Sequence, residues 1–270
     1  MALNEKRLVV SGFDFDDVKS NLKLFLEAQN EFTDYDFEGS GMSVLLDILA
    51  YNTHYLGFNM NMLANEMFLD SASLRSSVVS HAKTLGYETA SNRAAKAEVN
   101  VILFDSTKTT GTLSAGTVFT TSVDDIDYQF VTAESFTASN SGSQIKFENV
   151  PIFEGTFVTT RITVDQTDVD QRFVIPDNRA DTNTLLVVVQ TSSSDSSSTI
   201  FTKATDISQV SSTSNSYFVQ EVENGKHEVY FGDGVIGKAL SDGNIVILSY
   251  VVTNTTIANT ASVFSNASAI

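Results

Sequence analysis

A long, nearly uncharged apolar segment, residues 41–69, leaves this chain few possible folds. Its apolar residues recur at alternating intervals of four and three, which is the spacing of a helix face that packs against another helix. Two such faces follow each other one residue apart, about 100° around the helix axis at 3.6 residues per turn. Because a helix that is apolar over so much of its circumference needs partners, the segment predicts a helix surrounded by other elements.

We name the two faces by their residues. The leucine–asparagine seam consists of Leu45, Leu49, Asn52, Leu56, Asn59 and Leu63. The aromatic seam consists of Ile48, Tyr51, Tyr55, Phe58 and Met62. A small-residue stripe at intervals of seven, which would let another backbone come close, consists of Ala50, Gly57 and Ala64. The polar arc that remains for solvent or polar contacts consists of Ser43, Asp47, His54, Asn61 and Asn65. We predict that the seams and the stripe form a helical interface.

Two further helices are predicted beside this one. Asp14 or Asp16 can cap a first helix that runs to about Asn30, and Ser71 can cap a third helix that ends at Gly86. Each of these helices can cover one seam. The rest of the apolar surface is then covered either by the strand-rich part of the same chain or by helices from other chains in an intermolecular bundle.

Asn52 and Asn59 slightly favour the intermolecular bundle, because asparagine at a seam position often specifies the register and the number of partner helices. A membrane-spanning helix is opposed by the polar residues of the segment. Burying Asp47 and Glu66 in hydrocarbon would cost several kcal/mol. We therefore predict a deeply packed helix without membrane insertion.

From Ala95 onward the pattern changes to period two, with short strands separated by turn residues. The predicted fold class is α+β: an N-terminal helical bundle segment followed by β-rich domains of sandwich-like or mixed type. We divide the chain into a helical oligomerisation domain (residues 1–92), a first β-rich domain (93–191) and a second β-rich segment (192–270). The serine-rich run Ser192–Thr199 is either an exposed excursion or an interdomain linker, and its composition favours the excursion.

A hairpin is predicted in the second β-rich segment. Asn224-Gly225 indicates a two-residue type I′ loop, which needs φ > 0 at both central residues. This loop fixes a register in which Glu221 faces Glu228, an unfavourable pair. The glycine-rich run after the hairpin predicts sharp structural turns at Gly232, Asp233, Gly234 and Gly237.

Composition excludes several classes of function. The chain has 16 Lys and Arg against 33 Asp and Glu, and a net charge of −17 without a basic cluster excludes direct nucleic-acid binding. Without cysteine there is no disulfide framework, thiolate zinc site or thiol nucleophile. The three histidines lack motif partners, and the acidic run Asp124–Asp127 lacks calcium-loop spacing. We predict no catalytic residues, no metal and no cofactor.

Three collinear segments, Gly41–Tyr87, Glu154–Val189 and Tyr217–Val252, resemble the baseplate J-like proteins of contractile phage tails. The similarity is to the large wedge subunit of T-even-like phages, and it covers nearly the whole chain. The resemblance implies a structural, non-enzymatic component of the tail baseplate in the virion, assembled in the host cytoplasm. It also implies that the helical domain joins a second copy of the chain and a neighbouring wedge protein in one bundle.

By the same resemblance, the β domains set the arms of a wedge ring that surrounds a hub and rearranges when the sheath contracts. The family's subunits are usually much longer, so we expect this chain to be truncated relative to them. One alternative is a β-rich receptor- or glycan-binding tail protein whose helices only anchor it. A tail-associated hydrolase that uses paired carboxylates is a weaker alternative, because no catalytic constellation stands out among so many acidic residues.

Overall fold

The computed structural model describes residues 13–29, 35–104, 107–254 and 256–267. The chain divides into two compact units, Met1–Tyr87 and Glu88–Ile270. Over the described residues the first unit is helical and the second is built from strands, which confirms the predicted α+β class. The predicted end of the first helix at Asn30 lies outside the described residues, as does the N-terminal stretch 1–12.

The described part of the first unit contains α1 (Phe15–Glu27), α2 (Gly41–Glu66) and α3 (Arg75–Thr84). Asp14 caps α1 as predicted, since its carboxylate accepts a hydrogen bond from the Phe15 amide at 3.0 Å. The Ser40 hydroxyl caps α2 by accepting from the amide of Ser43.

The predicted cap of α3 by Ser71 is wrong. The Ser71 hydroxyl instead donates to the Asn65 carbonyl near the C-terminal end of α2. The carboxylate of Glu66 takes the capping position, accepting from the amides of Ser73 at 2.9 Å and Leu74 at 3.2 Å. A negative charge is stabilising there, because the first amides of a helix are unsatisfied and its dipole is positive at that end.

Neither α1 nor α3 covers a seam, so that expectation is also wrong. Instead α1 lies along the polar arc and the small-residue stripe of α2. Lys19 of α1 forms an ion pair with Asp47 at 2.6 Å, and the His54 ring donates from Nδ1 to the carbonyl of Phe13 at 2.8 Å. A Cβ added at Gly57 would lie 2.6 Å from the Cβ of Phe13, so the glycine lets the α1 end of the chain come close.

In the described part of the second unit the strands form two seven-stranded sheets. The first sheet contains β1 (Lys96–Leu103), β2 (Thr110–Leu113), β3 (Val118–Val123), β4 (Ile126–Thr132), β5 (Phe136–Ser141), β6 (Gln144–Glu154) and a late strand, Ser265–Asn266. This late strand is numbered β14, the last strand among the described residues. The order is β14-β3-β4-β6-β5-β2, with β1 paired to β6, and every pair is antiparallel.

The second sheet contains β7 (Thr156–Thr163), β8 (Phe173–Val174), β9 (Ala180–Gln190), β10 (Ser198–Lys203), β11 (Ser216–Glu221), β12 (His227–Phe231) and β13 (Ile245–Val252). Its order is β7-β13-β9-β10-β11-β12-β8, and β10–β11 is the parallel pair. The serine-rich run leads from β9 to its antiparallel neighbour β10. The domain boundary that the sequence predicted at 191/192 therefore falls inside this sheet. The chain passes from the first sheet to the second at residues 154–156.

The two sheets are joined by a buried polar contact and a close backbone approach. Glu154, at the end of β6, is 2% exposed and accepts from the Thr253 hydroxyl at 2.8 Å and the Asn254 amide at 2.9 Å. Gly155 follows with φ 126°, and a Cβ there would overlap the carbonyl of Val252. A small apolar cluster lies beside this joint and contains Val131, Ala133 and Val251.

Segments from both ends of the second unit reinforce its sheets. The connection before β1 is bound to the second sheet, because the Ser91 hydroxyl accepts from the Thr182 amide and Asp181 accepts from the Ala94 amide. After the second sheet the chain returns to the first one. There Ala258 is buried in the core, and the ring of Phe264 packs edge-on against Phe130.

The hairpin between β11 and β12 has the predicted positive φ angles, 59° at Asn224 and 72° at Gly225. Its predicted register is wrong by one residue. The amide of Val222 bonds to the Lys226 carbonyl while the Lys226 amide bonds to Glu223, so two residues oppose one in a bulge. The bulge separates the two glutamates, since Glu221 now faces His227 and Glu228 faces Gln220.

Candidate protein interface

Within the described residues of the helical unit, the two seams of α2 form an apolar surface that α1 and α3 leave open. The four leucines of the leucine–asparagine seam are 53–68% exposed, and Asn52 and Asn59 are exposed with them. The five residues of the aromatic seam are 42–65% exposed. Contiguous apolar surface of this extent marks an interaction site in a folded protein.

The small-residue stripe, the third predicted part of the interface, lies on a different side of α2 from the seams. Ala50 and Gly57 are buried and Ala64 is half-buried, on the side of α2 where Phe13 approaches. The structure thus separates the fourteen residues of the seams and the stripe into eleven that face outward and three that serve packing within the unit or lie at its margin. Val44, which is 52% exposed, extends the aromatic seam by one more four-residue step. The heptad spacing of the sequence could have predicted this residue as part of the seam.

No residue of either seam is charged, and the two acidic side chains of α2 are engaged with α1 and with the start of α3. Asp47 is paired with Lys19, and Glu66 is engaged with the start of α3. Hydrogen bonds from the Ser77 hydroxyl and from the amide and hydroxyl of Ser73 lower the pKa of Glu66 to about 2. The carboxylate is therefore ionised at neutral pH and holds α3 against the end of α2. His81 of α3 also donates to the Glu66 carbonyl at 2.9 Å, so both the side chain and the backbone of Glu66 connect the end of α2 to α3.

The predicted turn residues after β12 form a compact loop. The carboxylate of Asp233 accepts from the amides of Val235 and Ile236, which lowers its pKa. Gly234 and Gly237 have φ angles of 88° and 84°. These contacts account for the glycines by backbone geometry, without a ligand.

The described residues offer no alternative site of chemical interest. No group of three or more His, Cys, Asp or Glu residues among them could hold a metal ion. His227 is buried in β12, while His54 and His81 donate to backbone carbonyls. Among the helices described above, none is both long and apolar enough to cross a membrane.

Comparison with known proteins gives matches over both units. A family model described as baseplate wedge protein gp6-like, helical domain, matches residues 14–87. A second, described as bacteriophage baseplate wedge protein gp6, third domain, matches residues 157–260. Baseplate wedge protein gp6 of Enterobacteria phage T4 is 33% identical over 275 residues, which cover 95% of this chain. The chain spans 40% of the length of that relative. The first matched range contains α1, α2 and α3 in full, and the second contains β8 through β13.

Proposed function

The chain belongs to the gp6-like family of baseplate wedge proteins, and we propose that it is a structural subunit of the wedge in a phage tail baseplate. The observation that carries this proposal is the open pair of seams on α2, in the middle of the matched helical domain. Two seams about 100° apart on one helix suit contacts with two different neighbouring helices. The proposed role of the helical unit is therefore to join protein chains in a bundle.

The proposed partners are a second copy of the chain and other wedge proteins. In the virion the subunit lies in the tail baseplate, after assembly in the host cytoplasm. The apolar seams form the permanent contacts, because exposing them again would cost the free energy of burying large apolar side chains. The rearrangement that accompanies sheath contraction takes place at polar surfaces of the strand-rich unit, whose contacts with other chains are weaker.

The role is structural and includes no catalytic step. The name of the T4 relative describes a wedge component. Among the described residues, the acidic run Asp124–Asp127 spans the β3–β4 turn, and the glycine-rich run forms the loop that Asp233 closes. A cell-wall clearance assay tests this part of the proposal, and we expect no clearance.

The main test is the absolute mass of the purified chain by light scattering, alone and mixed with a neighbouring wedge protein. We expect a dimer alone or a mixed complex with the neighbour. Val169→Asp is a suitable control for aspartate substitutions in the seams, because Val169 is 92% exposed in the strand-rich unit and far from the seams in sequence. A monomer that ignores its neighbour at every concentration contradicts the proposal, and selective binding on a glycan array would favour a receptor-binding protein instead.

A further inference from the structure

We propose that the outer edge of β7 binds an extended segment of another protein. The segment adds to the second sheet as a further strand and places a carboxylate opposite Arg161. β7 lies at the end of the strand order, so one of its two sides has no neighbouring strand among the described residues. The inference goes beyond the proposed function, because it assigns a contact to the strand-rich unit whatever the seams of α2 bind.

β7 is the long, regular edge strand of the two described sheets. It pairs with β13 over eight residues, from Thr156 to Thr163, without a bulge. The other eight-residue edge strand, β1, has a bulge between Val99 and Val101 and carries a Lys96–Glu98 ion pair. The edge strands β2, β8 and β14 are only two to four residues long. Short, bulged or charged edges resist the addition of a strand, whereas a long regular edge offers its free backbone groups to one.

The backbone of β7 directs two exposed residues toward the open side. The Val164 amide bonds to the carbonyl of the residue before β13. Because successive residues of a strand direct their backbone groups to opposite sides, Thr163, Arg161 and Thr159 point away from β13. The outward carbonyl of Thr163 accepts from the side-chain amide of Gln171 at 2.8 Å. Thr159 and Arg161 are exposed, and an added strand can form about four backbone hydrogen bonds with them.

The side chains on the inner face of β7 favour apolar residues in the added strand. Val158 and Ile162 are half-buried and pack against the core cluster of the second sheet. Thr160 lies between them on the same face, with its hydroxyl 3.2 Å from the Tyr250 hydroxyl. Side chains of neighbouring strands lie side by side on one face of a sheet, so apolar residues of an added strand extend this core. We therefore expect a partner segment that is apolar at every second position.

Arg161 determines the charge that the segment carries on the other face. The side chain is exposed and forms no ion pair with any described residue. Its partner across the strand pair is Ile247, and the same row continues with Val188 of β9 and Ile200 of β10. The Arg161 position is thus the charged, open end of an otherwise apolar row. Because opposite charges on facing residues stabilise a strand pair and like charges destabilise it, the facing residue of the partner is Asp or Glu.

Two peptides and a charge reversal test the inference on the full chain. The probes alternate valine and threonine and carry one central residue, either glutamate or lysine. Titration calorimetry gives the ratio of their affinities, and we expect Arg161→Glu to shift this ratio toward the lysine peptide by roughly tenfold. The matched control is Lys96→Glu, which makes the same change of net charge on the exposed edge strand β1 and should shift the ratio far less. Far-UV circular dichroism checks that both variants fold.

Hydrogen–deuterium exchange locates the bound strand. With the glutamate peptide, exchange should slow in residues 157–163 and stay unchanged in residues 96–103, because an added strand protects the outward amides of the edge that it joins. An equal shift of the affinity ratio in Arg161→Glu and Lys96→Glu would refute the role of Arg161. Protection outside residues 157–163, or no binding of either peptide at millimolar concentration, would refute the edge assignment. The mass measurements that test the proposed function are independent of all these outcomes.

Discussion

Replacing Glu154 by alanine should destabilise the strand-rich unit through the joint between its sheets. The side chain is 2% exposed at the end of β6, and its carboxylate accepts from Thr253 and from both the backbone and the side-chain amide of Asn254. Truncation removes the acceptor and leaves these donors facing a small void. The loss should therefore appear as a lower free energy of unfolding of the whole unit.

The magnitude follows from the exposure of the donors. A hydrogen bond to a charged group contributes about 1.5–3 kcal/mol when both partners are buried. Thr253 is fully buried, so its hydroxyl loses a partner that water cannot replace easily. Asn254 is exposed, and water can take over most of its two bonds. Adding the lost packing of the side-chain stem, we expect a destabilisation of about 3 kcal/mol for Glu154→Ala.

Urea unfolding followed by far-UV circular dichroism measures this change, since the chain has no tryptophan. For a unit of this size the same change corresponds to a fall in Tm of roughly 6–12 °C. The matched control is Glu148→Ala, an exposed glutamate on the same strand, which should change stability by less than about 0.5 kcal/mol. If Glu154→Ala costs no more than this control, the carboxylate does not hold the two sheets together.

Three further predictions concern single groups. The pKa of Glu66 is lowered to about 2, chiefly by the hydrogen bond from the Ser77 hydroxyl. The stabilisation of α3 by this carboxylate is therefore complete above pH 4.5, the ordinary pKa, and is lost as the pH falls toward 2. In an acid titration followed by circular dichroism, Glu66→Gln should remove this pH dependence. Asp125→Gly should stabilise the β3–β4 turn by about 0.5–1 kcal/mol in urea unfolding, because Asp125 has φ 61°, and a loss of stability would contradict this reason. Gly232→Ala should cost about 2 kcal/mol in the same assay, since its Cβ would overlap the backbone of Gly237, and an unchanged midpoint would show that the loop can move away.

The helices and their faces could be predicted from the sequence because a helical period is local. The position of α1 could not, because it depends on the fit of Phe13 against Gly57 and on the pairing of Lys19 with Asp47, residues far apart in the chain. Neither α1 nor α3 therefore covers a seam in the described part of the helical unit, although the pattern suggested that these helices would do so.

The cap of α3 and the register of the hairpin also differ from the prediction because they depend on contacts outside the local sequence. The cap of α3 comes from a side chain at the end of the preceding helix, and a search for a serine just before the helix finds Ser71 instead. The hairpin turn is predicted by Asn224-Gly225, whereas the bulge beside it depends on how the paired strands satisfy Glu228, which accepts from Gln220 and Arg172. Turn chemistry is thus readable locally, while the register also reflects long-range contacts.

The order in which the chain is synthesised limits when the core of the first sheet can be completed. The core of the first sheet includes Ala258, and the ring of Phe264 packs on Phe130 from a segment that emerges only after the whole second sheet. At typical translation rates the ribosome needs about 5–20 s to make the intervening residues. During that interval Phe130 lacks the ring that packs against it, so the first sheet completes its core only after the second sheet has been made.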